Sequence, residues 1–504
     1  MLKSGLLFPD SQKELKKSMP WNSDELIKDL DLEIILQAMS QGDTFILDVC
    51  RRALLNMVSD RETILYRQEG LNDVLKNPES IRYLYSTLVD SINEARKRVF
   101  WISTGNPEFN LHESVLTLEI YLKGIESMRR IAQSSGKKFN STAFSRLFKM
   151  MEGEFDDKYL ELVRGHLESL KFQRGINVTG KIVRKDTLQY NLVVPEDNQS
   201  GLMGKFMLFG KKHYTFVLPD RDESGAQAIS QMRSRSIYRT SEIMKQSSEN
   251  VLRFMSGLRE ELAFYVGCIN LEERLKETGA SFSIPFVSEA PDLGIHYTGI
   301  YDVSMCLRIG SQPVSNSLDS DCSDLIIVTG ANRGGKTTLL RSLGQAQLMM
   351  QAGIFIGAEM FRTHTVNGLF THFKHEEDKD MKLGKFDEEI KRFSEIVDHI
   401  TCGSRLLFNE SFSSTNVNEA SMIAGQIIEA LLQRNISILF VTHLYGLTER
   451  FISVKPSTVF LVAERLTDGT RTFHVLPSEP EQTSYGIDIF RKVFAGFKPG
   501  TDEN

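Results

Sequence analysis

Gly330-Ala331-Asn332-Arg333-Gly334-Gly335-Lys336-Thr337 follows the apolar run Leu325-Ile326-Ile327-Val328 and matches the pattern G-x-x-x-x-G-K-[ST]. A buried strand that delivers a glycine-rich turn at the start of a helix offers backbone N–H groups to phosphate, and the helix points its positive end at the anion. The stretch predicts a nucleoside triphosphate site in which Lys336 reaches the β and γ oxygens and Thr337 holds Mg²⁺. The motif alone does not name the triphosphate or the work done with it.

A site of this kind needs an acidic strand end to manage the metal and the attacking water. Leu406-Leu407-Phe408-Asn409-Glu410 supplies one. Glu410 is the candidate for orienting or activating water, and Asn409 stands where most such enzymes place the aspartate that holds Mg²⁺. The amide removes a negative charge from the metal's surroundings. Ile436 to Val441 reads as a further strand and delivers Thr442-His443, where a histidine can sense the γ-phosphate.

At this point the residues resemble a family. Thr329 to Thr338, Gln351-Ala-Gly-Ile-Phe-Ile-Gly-Ala-Glu359, Phe408-Asn-Glu-Ser411 with Ser414-Thr415, and Val441-Thr-His-Leu-Tyr445 look like the ATPase domain of the MutS mismatch-repair proteins. The resemblance implies an ABC-type P-loop ATPase working as a composite dimer with ATP and Mg²⁺. In it Gly330, Ala331, Asn332, Arg333, Gly334, Gly335, Lys336, Thr337 and Thr338 would bind nucleotide. Gln351 would lie near the metal and the γ-phosphate, and Ser413, Ser414 and Thr415 would face the partner subunit. Asp60-Arg-Glu-Thr-Ile-Leu-Tyr-Arg-Gln68 with Val74-Leu75 is similar to the start of the family's helical core, and Ser484-Tyr-Gly-Ile487 extends the likeness downstream.

Three departures qualify the inheritance. Asn409 replaces the family's aspartate, which bears on hydrolysis more than on ATP binding. Gly384-Lys385-Phe386 stands where the family usually has the Ser-Thr-Phe that reaches the partner's nucleotide, so the trans contact is expected to be altered. The chain is expected to begin in the helical core, without a mismatch-reading domain or a Phe-x-Glu wedge, and mismatch reading cannot simply be inherited.

The expected organisation is multidomain, α and α/β. A leader (1–20) precedes a helical core or lever (21–170), with Val115, Leu118, Leu122 and Ile125 at helical spacing. A small β insertion (171–222) follows, where Ile176-Val178 and Leu188-Tyr190-Leu192-Val194 alternate. The second lever part (223–280) carries a seam at Val251, Met255, Leu258, Leu262, Tyr265 and Ile269, and the proline-free stretch of about 54 residues from Ser224 to Glu277 would extend about 80 Å as one helix. The ATPase domain (281–483) and a short tail (484–504) complete the chain. The family resemblance assigns the insertion as a clamp carried by the lever.

Composition fits a globular chain: 504 residues, 41% hydrophobic and 25% charged. Five scattered cysteines without a C-x-x-C pair, and no apolar run near the length of a membrane span, predict a reduced cytoplasmic protein with no membrane partner. The net charge of −6 gives no global argument for nucleic acid. Residues 171–239 nevertheless hold twelve basic against six acidic side chains. Lys181, Arg184, Lys185, Lys211 and Lys212 are the candidate contacts to duplex DNA, through phosphate and without sequence reading. A solvated basic face without function is the alternative. His364, His372 and His375, followed by Glu376 and Glu377, lie in a polar stretch that reads as a loop and not as a metal site.

Two further classes remain open at this stage: an ABC-like ATPase acting on a protein partner without DNA, and a nucleotide-gated scaffold with little hydrolysis.

Overall fold

A computed structural model of the chain describes residues 4–10, 12–99, 106–172, 177–184, 187–193, 222–289, 294–321, 324–374, 384–452, 458–466 and 470–480. In chain order the helices before the insertion are α1 (Ser23–Asp29), α2 (Leu32–Ser40), α3 (Thr44–Leu55), α4 (Arg61–Lys76), α5 (Pro78–Val99), α6 (Pro107–Ser135), α7 (Thr142–Gly153) and α8 (Asp157–Ser169). Strands β1 (Asn177–Arg184) and β2 (Thr187–Val193) precede α9 (Glu223–Thr278), β3 (Phe286–Val287), β4 (Ile295–Ile300), α10 (Val303–Ile309) and β5 (Asn316–Ser320). Then come β6 (Leu325–Gly330), α11 (Lys336–Ala352), β7 (Met360–Thr363), β8 (Leu369–Phe373), α12 (Lys385–His399) and β9 (Arg405–Asn409). The described chain closes with α13 (Val417–Leu432), β10 (Ser437–Val441), α14 (Tyr445–Ile452), β11 (Thr458–Arg465) and β12 (Arg471–Pro477).

The chain divides into two compact units. The first comprises Met1–Leu6 and Glu79–Leu262 and is largely helical. Its helices start where short polar side chains satisfy orphan N–H groups: Asn106 caps α6 with Pro107 next to it, Ser141 caps α7 and Asp156 caps α8. A Cβ at Gly124 would collide with the Ser91 hydroxyl, so glycine lets α6 approach α5 closely. β1 and β2 form an antiparallel hairpin, as the alternation predicts.

The second unit comprises Leu7–Pro78 and Ala263–Asn504, so α1–α4 group with the mixed α/β part of the chain. These units cut across the 21–170 segment that the sequence reads as one helical part. Arg67 of α4 is 1% exposed, and its guanidinium donates to Leu7 O at 2.9 Å and Ala352 O at 3.2 Å. The stretch similar to the start of a helical core is therefore pinned to the C-terminal end of α11. The expected long helix is a single element of 56 residues, and Met255, Leu258, Leu262, Tyr265 and Ile269 of the seam are all buried.

One sheet of the second unit has the order β12-β11-β6-β10-β9-β8. Neighbours β11/β6, β6/β10, β10/β9 and β9/β8 run parallel, and β12 is an antiparallel edge. Leu325, Ile327, Leu406, Phe408, Ile438 and Phe440 form a core on one face with Phe393 of α12 and Ala424 and Ile428 of α13. On the other face Gly344 brings α11 against Leu407, where a Cβ would come within 2.9 Å of the leucine methyl. Cover on both faces explains why these strands read as continuous apolar runs. A second, mixed sheet has the order β3-β7-β4-β5. Among the described residues no helix is long and apolar enough to cross a membrane.

Candidate nucleotide-binding site

Strands β6, β9 and β10 are neighbours and parallel, with Val441 level with both Val328 and Asn409. Their C-terminal ends therefore open on the same edge of the sheet, where ligands of open parallel sheets bind. That edge receives residues 330–337 from β6, 409–410 from β9 and 442–443 from β10.

The loop after β6 has a backbone that only glycine fits at its ends. Gly330 has φ +110°, and a Cβ there would stand 2.8 Å from Ala463 N of β11. Gly335 has φ +93° and caps α11, and its Cβ would meet Phe473 O of β12 at 3.0 Å. Ala331 is buried, whereas Asn332 and Arg333 are exposed on the turn and Thr338 is half-buried.

Lys336 is 4% exposed, and its ammonium donates to Gly330 O and Ala331 O, both at 2.9 Å. Burial pulls its pKa down to about 8; Glu410 opposes that shift and the charge of Arg471 adds to it. Thr337 Oγ1 donates to Asn409 Oδ1 at 3.0 Å, so the two candidate metal-holding side chains are adjacent. His443 Nε2 donates to Glu410 Oε1 at 2.9 Å. That hydrogen bond, the largest influence, holds the Glu410 carboxyl below the ordinary carboxylate range despite partial burial.

Glu410 and Phe412 both lie in the left-handed region, at φ +54° and +63°. Such a backbone costs a side-chain-bearing residue about 1–2 kcal/mol at each position. Glu410 N donates to Val441 O and Lys374 N to Asn409 O, each at 2.9 Å, which fixes the strand end before the turn.

The residues fit a triphosphate with Mg²⁺. A cradle that a Cβ would fill, a buried ammonium held by loop carbonyls and a hydroxyl–amide oxygen pair supply anion-binding groups and hard oxygen donors.

Gln351 requires a correction. It is the last residue but one of α11, fifteen residues beyond Lys336, which places it about 22 Å along the helix from the loop. Its amide is consumed there, donating to Val58 O and Val366 O at 2.9 Å and accepting from Val366 N at 3.0 Å. It is not near Lys336 or Thr337, the side chains expected to meet the γ-phosphate and Mg²⁺. His372 also departs from expectation: it lies on β8, 1% exposed, and not in a loop. His375, Glu376 and Glu377 fall outside the described residues, among which no group of three or more metal-ligating side chains occurs.

Sequence reasoning missed Ala463, Arg471 and Phe473, since no local pattern announces that β11 and β12 lie beside the loop. Ser413 and Ser414 are half-buried, and Thr415 Oγ1 donates to Glu419 of α13. Lys181 and Arg184 lie on β1. Lys185, Lys211 and Lys212, Cys322, and the Ser484–Ile487 likeness with the rest of the tail, fall outside the described residues.

Comparison with known proteins matches the chain in two successive stretches. Residues 59–278 match the MutS2 N-terminal domain and residues 326–497 match MutS domain V. An "Endonuclease MutS2" of Thermus thermophilus is 28% identical over 235 residues, which are 45% of this chain and 31% of the relative. A "DNA mismatch repair protein MutS" of Parabacteroides distasonis is 22% identical over 442 residues, 79% of this chain and 50% of the relative. Another MutS, of Porphyromonas gingivalis, is 32% identical over 178 residues, 34% of this chain and 20% of the relative. The chain thus spans at most half the length of these relatives. With the MutS2 N-terminal domain and MutS domain V matched in order along the chain, the chain belongs to the MutS family.

Proposed function

We propose that this chain is an ATPase that binds duplex DNA without reading its sequence and couples ATP binding and hydrolysis to switching of a dimer, in DNA repair or recombination. The observation that carries the reading is the convergence of Lys336, the Thr337–Asn409 pair at 3.0 Å and the Glu410–His443 pair at 2.9 Å on adjacent parallel strand ends. The names of the MutS and MutS2 relatives support the link to DNA.

In this mechanism the backbone N–H groups of Gly330–Thr337 donate to the phosphate oxygens, and Lys336 exchanges its two carbonyl partners for β and γ oxygens. Thr337 and Asn409 would hold Mg²⁺, which when bound neutralises charge on the phosphate oxygens. Glu410, a carboxylate at neutral pH, orients the attacking water and takes its proton, while His443 fixes the carboxylate. The basic segment around the β1–β2 hairpin would supply phosphate contacts to DNA.

Asn409 favours a second reading, a nucleotide-gated scaffold with little hydrolysis. Single-turnover ATP hydrolysis separates the two. Lys336→Ala is expected to lose ATP binding and Glu410→Gln to bind ATP without turning it over; a Lys336→Ala protein with wild-type affinity refutes the site. A gel-shift panel over mismatched, branched and plain duplexes, with and without ATP, tests the DNA half. No binding at low salt would leave an ATPase acting on a protein partner.

A further inference from the structure

The turn that carries Glu410 is gripped from a neighbouring strand by a side chain outside the nucleotide motifs. His372 on β8 is level with Phe408 of β9, and its ring stacks on Phe412 at 5.4 Å and 19°. Its Nε2 lies 3.1 Å from Glu389 O of α12; a carbonyl can only accept, so Nε2 carries a proton and donates. The other ring nitrogen, Nδ1, meets Ser411. The Ser411 hydroxyl lies 2.8 Å from His372 Nδ1 and 2.5 Å from His372 O. Ser411 is 1% exposed and Phe412 is fully buried. These contacts fall on the residues directly after Glu410, where the chain passes through two left-handed conformations at 410 and 412. A backbone held in such a state persists only where its surroundings over-determine it. His372 and Ser411 supply that constraint.

We propose that His372 is a positioning residue for hydrolysis: it acts through Ser411 and Phe412 to hold the 409–412 turn so that the Glu410 carboxylate faces the attacking water. The inference rests on the ATPase reading above. In the step it serves, the water oxygen bonds to the γ-phosphorus, the bond from that phosphorus to the β,γ-bridging oxygen breaks, ADP leaves with the electron pair, and Glu410 takes a proton of the water. Misplacing the carboxylate by an ångström leaves ATP held by the loop but slows this step, by as much as about a hundredfold.

The test is single-turnover hydrolysis of Mg·ATP beside equilibrium ATP affinity, with thermal melting as a check on folding. Ser411→Ala, which removes only a hydroxyl, and His372→Ala are each expected to slow hydrolysis about tenfold or more, with ATP affinity held within about twofold. The double variant should be no slower than the worse single, because both break one linkage. His372→Asn, whose amide reaches Ser411 near the place of Nδ1, should recover most of the rate. A merely structural role would lower melting and affinity together and would not show that rescue. If His372→Ala does not fold, Ser411→Ala and His372→Asn carry the test. Wild-type rates in Ser411→Ala, with Glu410→Gln inactive, overturn the positioning role alone. A Glu410→Gln protein that hydrolyses ATP normally overturns the ATPase site itself.

Discussion

Lys336 carries the most quantitative prediction. In the nucleotide-free protein burial brings its pKa down from the ordinary 10.5 to about 8. A group of that pKa is about 90% protonated at pH 7 and about 10% at pH 9. If only the ammonium engages the phosphates, ATP affinity should weaken about tenfold between these two pH values, which is about 1.4 kcal/mol. Equilibrium binding of ATP from pH 6 to 10 measures this directly, and Arg471→Gln should move the midpoint upward by removing a neighbouring positive charge. The same shift fixes the sign of the stability effect. Between pH 8 and 10.5 the unfolded chain keeps the lysine proton while the folded chain loses it, so the unfolded state binds more protons and stability rises with pH across this window. Below pH 8 the full cost of burying the charge is present; relieving it is worth at most about 3 kcal/mol. The comparison with Lys336→Met isolates this slope, because the two hydrogen bonds to loop carbonyls enter as an offset. A flat affinity profile to pH 10 would refute the buried placement of the ammonium.

Asn409→Asp keeps an acceptor for Thr337 and adds a charge where Mg²⁺ would be held, so single-turnover hydrolysis should rise; an unchanged or lower rate would mean the site has been rebuilt around the amide. Gly330→Ala forces φ +110° on a Cβ that meets Ala463 N at 2.8 Å, which should cost about 2 kcal/mol or more, read as a lowered melting midpoint together with lost ATP binding. Replacing Lys181, Arg184, Lys185, Lys211 and Lys212 together by alanine should weaken binding to all duplexes alike and lower the magnitude of the log affinity against log salt slope by about 0.9 per lost contact, with DNA-free ATPase activity preserved.

What the sequence determined by itself was whatever is local along the chain. The strand, glycine turn and helix around Lys336 are contiguous, so their geometry follows from the order of residues, and the seam from Val251 to Ile269 repeats within a single helix. Glu410 and His443 were legible as candidates because each ends an apolar strand. That they meet was not legible: their hydrogen bond spans 33 residues and the Thr337–Asn409 bond spans 72, and both depend on β10 lying between β6 and β9. A motif specifies its own turn but not which strand will be its neighbour. Gln351 is the opposite case: the resemblance brought it to the nucleotide, although the contiguous helix after the turn carries it away at 1.5 Å per residue. The silence of local sequence about neighbouring strands also explains why His372 read as part of a polar loop. Its role arises only because parallel pairing sets it level with Phe408, within reach of a turn 39 residues downstream.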